Sequence, residues 1–305
     1  MSKARFSGHA ILALVCAPLL AGSACEKKKP VDTGAITAMD HAAKPAAPVD
    51  ETPLPNVDTR TLTGERLKLY YKLLGSLNSP CGKGHNLRTS FLQDTSCKRA
   101  PFAVKYVVSL LVDEQNEEQV REFYAKKYEK QSPKAKLDLS KAPHVGPTDA
   151  PVRLVEFFDY QCPHCANFAP ILAKVEADEK GKIVTYFMMF PLEGKHPEAR
   201  SAAQASLAAA AQGKFEEMHR TLFEKAPAHA KQDVAAYAAE LGLDPAKFAA
   251  DYEAASTQVT SDVAQGEANG VDSTPTLFFN DHRYDGPMLP EYIEMWIDEE
   301  LAVNR

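Results

Sequence analysis

The chain has 305 residues, of which 45% are hydrophobic and 25% charged, with a net charge of −6. That length accommodates two modest domains, and the balance is that of a soluble globular protein. The acidic excess gives no reason to expect nucleic acid as a partner, and beyond the N-terminus no run approaches the roughly 18 apolar residues of a membrane span.

Lys3 and Arg5 precede the apolar run "AILALVCAPLLAG", and small residues "GSA" lead to Cys25. This is the layout of a secretory signal over residues 1–24. "LLAGSAC" resembles the bacterial lipobox, whose cysteine becomes a lipid-bearing N-terminus. Gly22 stands where a leucine is usual, and ordinary cleavage after Ala24 also fits. Either route starts the mature chain at Cys25. Cysteine parity favours lipidation: of six cysteines Cys16 leaves with the signal, and a lipid on Cys25 leaves four to form two pairs. Residues 25–60, rich in Pro, Ala and charge without an apolar period, read as a disordered tether.

Residues 61–131 read as a small all-α domain. Leu67, Tyr70, Tyr71 and Leu74 recur at helical spacing, "APFAVKYVVSLLVDE" is a second helical run, and Val120, Phe123, Tyr124 and Tyr128 stripe a third. Cys81 and Cys97 bracket the loop-like stretch between the first two. In an oxidising compartment a structural disulfide is the default, worth ~3 kcal/mol in the chain-entropy model. A second redox pair is the sharper alternative. A metal site with His85 lacks an obvious fourth ligand.

Residues 132–149, with four prolines in the wider stretch "SPKAKLDLSKAPHVGPTDAP", read as an interdomain connection. From 150 to 305 the order is strand ("VRLVEFFDY"), helix, strand ("IVTYFMMFPL"), a helical block over about 192–270, a hairpin turning at Asn280–His282, and a closing amphipathic helix. "KQDVAAYAAELG" and "DPAKFAADYEAAS" read as shorter helices within that block. This is an α/β sheet interrupted by helices.

Cys162 and Cys165 enclose Pro163 and His164 at the strand-to-helix junction. Structural zinc would need a second ligand pair, which the chain lacks, and a four-residue disulfide ring staples almost nothing. Redox chemistry remains. Pro163 suits the first helical position. The N–H groups of the first turn, the helix dipole and His164 all favour a Cys162 thiolate, the reacting species. A stabilised thiolate makes the disulfide an oxidant. Cys165 then resolves mixed disulfides on Cys162. Glu156, in the apolar strand before the pair, is costly to bury unpaired and is placed to exchange the proton of the buried thiol; its alternative is an outward-facing strand residue.

"LVEFFDYQCPHC", "HPEARSAAQASLAAAAQGKFEEMHRTLF" and "GVDSTPTLFFN", in that order, resemble the DsbA-like thiol:disulfide oxidoreductases of the thioredoxin superfamily. The resemblance implies a thioredoxin fold with an inserted helical domain, a cis Pro275 facing the cysteines, and Thr274 offering its backbone to a substrate chain. It implies no cofactor beyond the Cys162–Cys165 disulfide, exported reduced or unfolded proteins as substrates, and a membrane redox partner for reoxidation. "NSPCGKGHNLRTSF" also resembles the small three-helix domain of the CcmH family, but Gly84 replaces that family's second cysteine, so its activity does not carry over. The leading expectation is a periplasmic disulfide donor, membrane-tethered by lipid at Cys25. A reductase or isomerase, linked to cytochrome c assembly, is the first alternative. A tethered chaperone or copper-binding protein is the second.

Overall fold

The computed structural model describes residues 48–130 and 133–303. The signal, Cys25 and most of the expected tether lie outside them. The described end of that tether is not free chain: Leu54 is buried, and Arg88 binds both the Asp50 carboxylate at 2.8 Å and the Thr52 carbonyl at 2.6 Å.

Four α-helices open the described chain: α1 (Gly64–Ser76), α2 (Leu87–Gln93), α3 (Ala100–Val112) and α4 (Glu117–Tyr124), the last running into a π-helical turn, Ala125–Glu129. Helix α2 lies in the stretch between the first two expected helices. It is short, and Asn86 starts it by accepting the Thr89 N–H at 2.9 Å. Asn116 and Gln119 form a reciprocal capping box at the start of α4. Tyr70, Leu73, Leu74, Val104, Val107, Leu110 and Tyr124 fill the core of this block.

A five-stranded sheet follows in the order β1-β3-β2-β4-β5. Its strands are β1 (His144–Val145), β2 (Val152–Phe158), β3 (Ile183–Met189), β4 (Thr276–Phe279) and β5 (His282–Arg283). Helix α5 (Pro163–Asp178) joins the parallel pair β2 and β3, while β4 runs antiparallel to β2. The expected connection over 132–149 is thus partly sheet: β1 pairs antiparallel with β3, and Ala135 and Ala142 are buried against Val155, Phe157 and Phe278. A two-residue edge strand carries no readable period. Asn280 and Asp281 take positive φ in the tight turn between β4 and β5.

Helices α6 (Ala199–Ala210), α7 (Phe215–Glu224), α8 (Lys231–Glu240) and α9 (Pro245–Ala268) lie between β3 and β4. Helix α9 is longer than the "DPAKFAADYEAAS" helix read from sequence. It runs 24 residues because buried positions continue at Val259, Asp262 and Gly266. Gly266 permits a close approach to the sheet, since a Cβ there would lie 2.6 Å from the Phe190 ring. Central strand β2 is covered on both faces, as its near-continuous apolar run requires: Leu154 and Phe158 face α5 and the inserted helices, while Val155 and Phe157 face the other core.

Helix α10 (Pro290–Val303) divides its sides between two cores. Ile293, Trp296 and Ile297 join the sheet's core, and Tyr292 and Met295 join that of the N-terminal helices. A buried ionic cluster reinforces this seam. Glu299 accepts from Arg99 at 3.1 Å, Lys127 at 3.0 Å and Tyr128 at 3.0 Å. Lys127 Nζ also sits 3.1 Å from the centroid of the Trp296 ring.

Candidate active site

Strand β2 ends at Phe158, and four residues later Cys162 takes extended dihedrals as the N-cap of α5, with Pro163 at the first helical position. Both cysteines are thiols here. Cys162 is 5% exposed and Cys165, one turn inward, is fully buried. Pro163 and His164 lie outward and exposed.

The two sulfurs have opposite electrostatics. The Cys165 thiol, the Thr274 hydroxyl and the N–H groups of Cys165 and His164 stabilise a Cys162 thiolate against the cost of burial, and bring its pKa to about 5. Burial, the neighbouring Cys162 and the Glu156 carboxylate drive Cys165 strongly the other way. The two thiols are thereby set far apart in acidity. His164 contributes through its backbone N–H.

The Thr274–Pro275 peptide is cis. The Cys162 Sγ–H donates to the Thr274 carbonyl at 3.4 Å. The Thr274 hydroxyl is buried and has no hydrogen-bond partner among the described residues. Glu156 lies inside rather than on an outward strand face. It is 2% exposed, two residues along β2 from Phe158 and on the same face. Burial, aided by Glu176, raises its pKa to about 8. The structure therefore gathers Glu156, Cys162, Pro163, His164, Cys165, Thr274 and Pro275 at the C-terminal end of β2.

Cys81 and Cys97 lie elsewhere, joined by a disulfide within the N-terminal helical block. His85 Nε2 lies 3.5 Å from an Asp94 carboxylate oxygen. Among the described residues no group of three or more His, Cys, Asp or Glu side chains is disposed to hold a metal. A cleft of about 860 Å³, lined by Arg99, Lys127, Lys130, Lys134, His282 and Arg283 among others, sits at the opposite end of the sheet from Cys162.

Sequence reasoning missed the tripeptide Asp159–Tyr160–Gln161. Each residue hooks a different part of the chain between β3 and β4. The buried Asp159 carboxylate accepts from the N–H groups of Gln161 (2.7 Å) and Leu192 (2.8 Å), and pairs with His196 Nδ1 at 2.7 Å. The Tyr160 hydroxyl meets His219 Nδ1 at 3.0 Å. Gln161 donates to the Pro227 carbonyl at 2.7 Å and accepts from the Glu198 N–H at 3.0 Å. The available signal was two polar side chains wedged between a buried strand and a buried cysteine, where each needs a partner.

A family model described as thioredoxin matches residues 138–299. The chain belongs to the thioredoxin family. Its layout, a thioredoxin core with an inserted helical segment, is DsbA-like. BdbD from Bacillus subtilis, whose crystal structure is of the oxidised form, superposes with a TM-score of 0.51 at 27% identity, covering 56% of this chain and 99% of that one. Among curated relatives, the Na(+)/H(+) antiporter NhaA 1 of Mycolicibacterium vanbaalenii is 39% identical over 146 residues, 47% of this chain and 24% of that protein. The antiporter NhaA 3 of Salinispora tropica is 37% identical over 164 residues, 52% of this chain and 25% of that protein. The chain thus spans about a quarter of the length of the curated relatives it matches. Among the described residues no helix is long and apolar enough to cross a membrane.

Proposed function

We propose that the protein is a thiol–disulfide oxidoreductase that donates disulfides to exported proteins in the periplasm. The observation that carries this reading is the Cys162 environment. A thiol held near pKa 5 is ionised at neutral pH, which stabilises the reduced form and makes the Cys162–Cys165 disulfide a strong oxidant. A substrate thiolate attacks Cys162 and displaces Cys165, which takes a proton from Glu156. A second substrate thiolate then attacks the Cys162 sulfur of the mixed disulfide, leaving both protein sulfurs reduced and the substrate sulfurs joined. The Thr274–Pro275 segment lines the substrate chain beside Cys162. A membrane redox partner reoxidises the pair. In the same reading Cys81–Cys97 is structural, residues 61–131 and 150–305 are two domains joined through the shared helix α10, and a lipid on Cys25 with the tether behind it holds the protein at the membrane; the sequence alone supports the lipid and the tether.

The test is the equilibrium of purified protein with reduced and oxidised glutathione, read by alkylation and mass. A potential well above the glutathione couple is expected. One near the thioredoxin range, about −270 mV, would overturn disulfide donation and favour a reductase. Cys162→Ser should abolish exchange. Retained exchange in that variant would remove the Cys162–Cys165 pair from the reaction.

A further inference from the structure

The proton that Cys165 exchanges with Glu156 must also reach solvent, and Glu156 is buried. Glu156 pairs with Phe187 across β2 and β3, and Leu154 pairs with Thr185 in the same parallel register. Glu156 and Thr185 therefore lie on one face of neighbouring strands, two positions apart. Helix α5 covers that face, with Cys165 in its first turn and Glu176 in its last, ~16 Å further along its axis. Thr185 is fully buried, and its hydroxyl and one Glu176 carboxyl oxygen have no hydrogen-bond partner among the described residues. Buried polar atoms of this kind are uncommon and call for a role.

The electrostatic neighbours run in sequence. Glu156 acts on Cys165, and Glu176 acts on Glu156. Glu176 in turn is influenced by the Thr185 hydroxyl and by Glu216 of α7, which is exposed. No group of α10 is among those acting on Glu176. Burial raises the pKa of both carboxyls, half-buried Glu176 to about 7 and fully enclosed Glu156 to about 8.

We propose that Glu176, assisted by Thr185, carries the proton of Glu156 to and from the surface at Glu216 during exchange at Cys162–Cys165. This rests on the oxidoreductase reading above. Glu176 touches no reacting sulfur; it acts through Glu156, and so is a positioning residue for the proton. When a reduced pair is reoxidised by glutathione disulfide, the Cys162 thiolate attacks it and releases one glutathione thiolate. Cys165 then gives its proton to ionised Glu156 and attacks Cys162. The Cys162–Cys165 bond forms as the Cys162–glutathione bond breaks, and the second glutathione leaves as a thiolate that solvent protonates. The two protein sulfurs are oxidised and the two glutathione sulfurs reduced. Glu156 must have lost its own proton beforehand, and Glu176 is the exit.

The experiment mixes reduced protein with glutathione disulfide, quenches with acid at intervals, and follows the Cys162–glutathione species by mass from pH 6 to 9. Glu176→Gln should slow its resolution about tenfold at pH 7 and make the mixed disulfide accumulate. Its equilibrium with glutathione should stay within about twofold of wild type, and Glu176→Asp should recover most of the rate. Resolution at the wild-type rate with an unchanged pH profile in Glu176→Gln overturns the relay. So does equal slowing by Gln and Asp with an unchanged profile, which marks a packing effect. Wild-type protein that forms no adduct on Cys162 overturns the oxidoreductase reading itself, and the relay with it.

Discussion

Thr274→Val isolates one contribution to a Cys162 thiolate. Valine keeps the size of the side chain and leaves the carbonyl that accepts from Cys162 Sγ in place. It removes only the hydroxyl, which is buried, has no hydrogen-bond partner among the described residues and acts on the Cys162 sulfur. A hydrogen bond to a charged group is worth roughly 1.5 kcal/mol at the lower end of its range, or about one pH unit. The Cys162 pKa should therefore rise from about 5 toward 6. At pH 7 the sulfur stays mostly ionised, so the thiolate fraction barely changes. The loss appears in the redox equilibrium, because the reduced form alone contains the thiolate. A destabilised reduced form makes the disulfide less oxidising, by about 30 mV for a two-electron couple. Thiolate absorbance during a pH titration of reduced protein measures the first quantity, and glutathione equilibration the second. A titration unmoved by the substitution would refute the assignment of the hydroxyl. A shifted pKa with an unmoved potential would break the proposed link between thiolate stability and oxidising power.

Glu156→Gln tests burial of the carboxyl. Its folded pKa of about 8 lies above the unfolded value of 4.5, so the stability tied to the neutral form is complete below about 4.5 and lost as pH rises to about 8. The variant should be more stable than wild type by about 3 kcal/mol at pH 7 and equal to it near pH 4 in denaturant unfolding; parallel pH profiles would contradict the burial argument. Glu299→Ala leaves Lys127 and Arg99 without their shared carboxylate and should cost ~3–5 kcal/mol in the same assay. A loss below about 1 kcal/mol would mean that water replaces the carboxylate at that seam. Replacing Cys81 and Cys97 together by serine should cost ~3 kcal/mol and leave exchange at Cys162 unchanged; lost exchange would make them a second redox pair.

Much of the candidate site was legible because its signals are local. A buried strand, a Cys-Pro-His-Cys helix start and a Thr-Pro before a hairpin are each specified by a few adjacent residues. What escaped depends on distant partners. Leu54 lies in a stretch whose composition reads as tether, yet is buried. His144 and Val145 form a strand only because β3 offers an edge. Asp159 looks like a turn residue until Leu192 and His196 are brought to its carboxylate. His164 is the converse case: its place between the cysteines is visible in sequence, but its exposure is not.

Helix α10 shows why the N-terminal helices are more than an appendage. An amphipathic C-terminal helix has one apolar stripe to bury, but this one is apolar on two sides: Trp296 and Ile297 serve the sheet, Tyr292 and Met295 the helical block. Without α1–α4, Tyr292 and Met295 would face water, and Glu299 would lose the cations that offset its burial. The block is thus part of the thermodynamic unit that holds α10 against α5 and β2. A fragment beginning at residue 133 would expose that second stripe, and should be less stable and more prone to self-association than the whole, even though it contains every residue of the Cys162 site. Sedimentation and thermal unfolding of the fragment beside the intact protein decide the point. A monomeric fragment of equal stability would reduce the block to a separate domain that merely rests on α10.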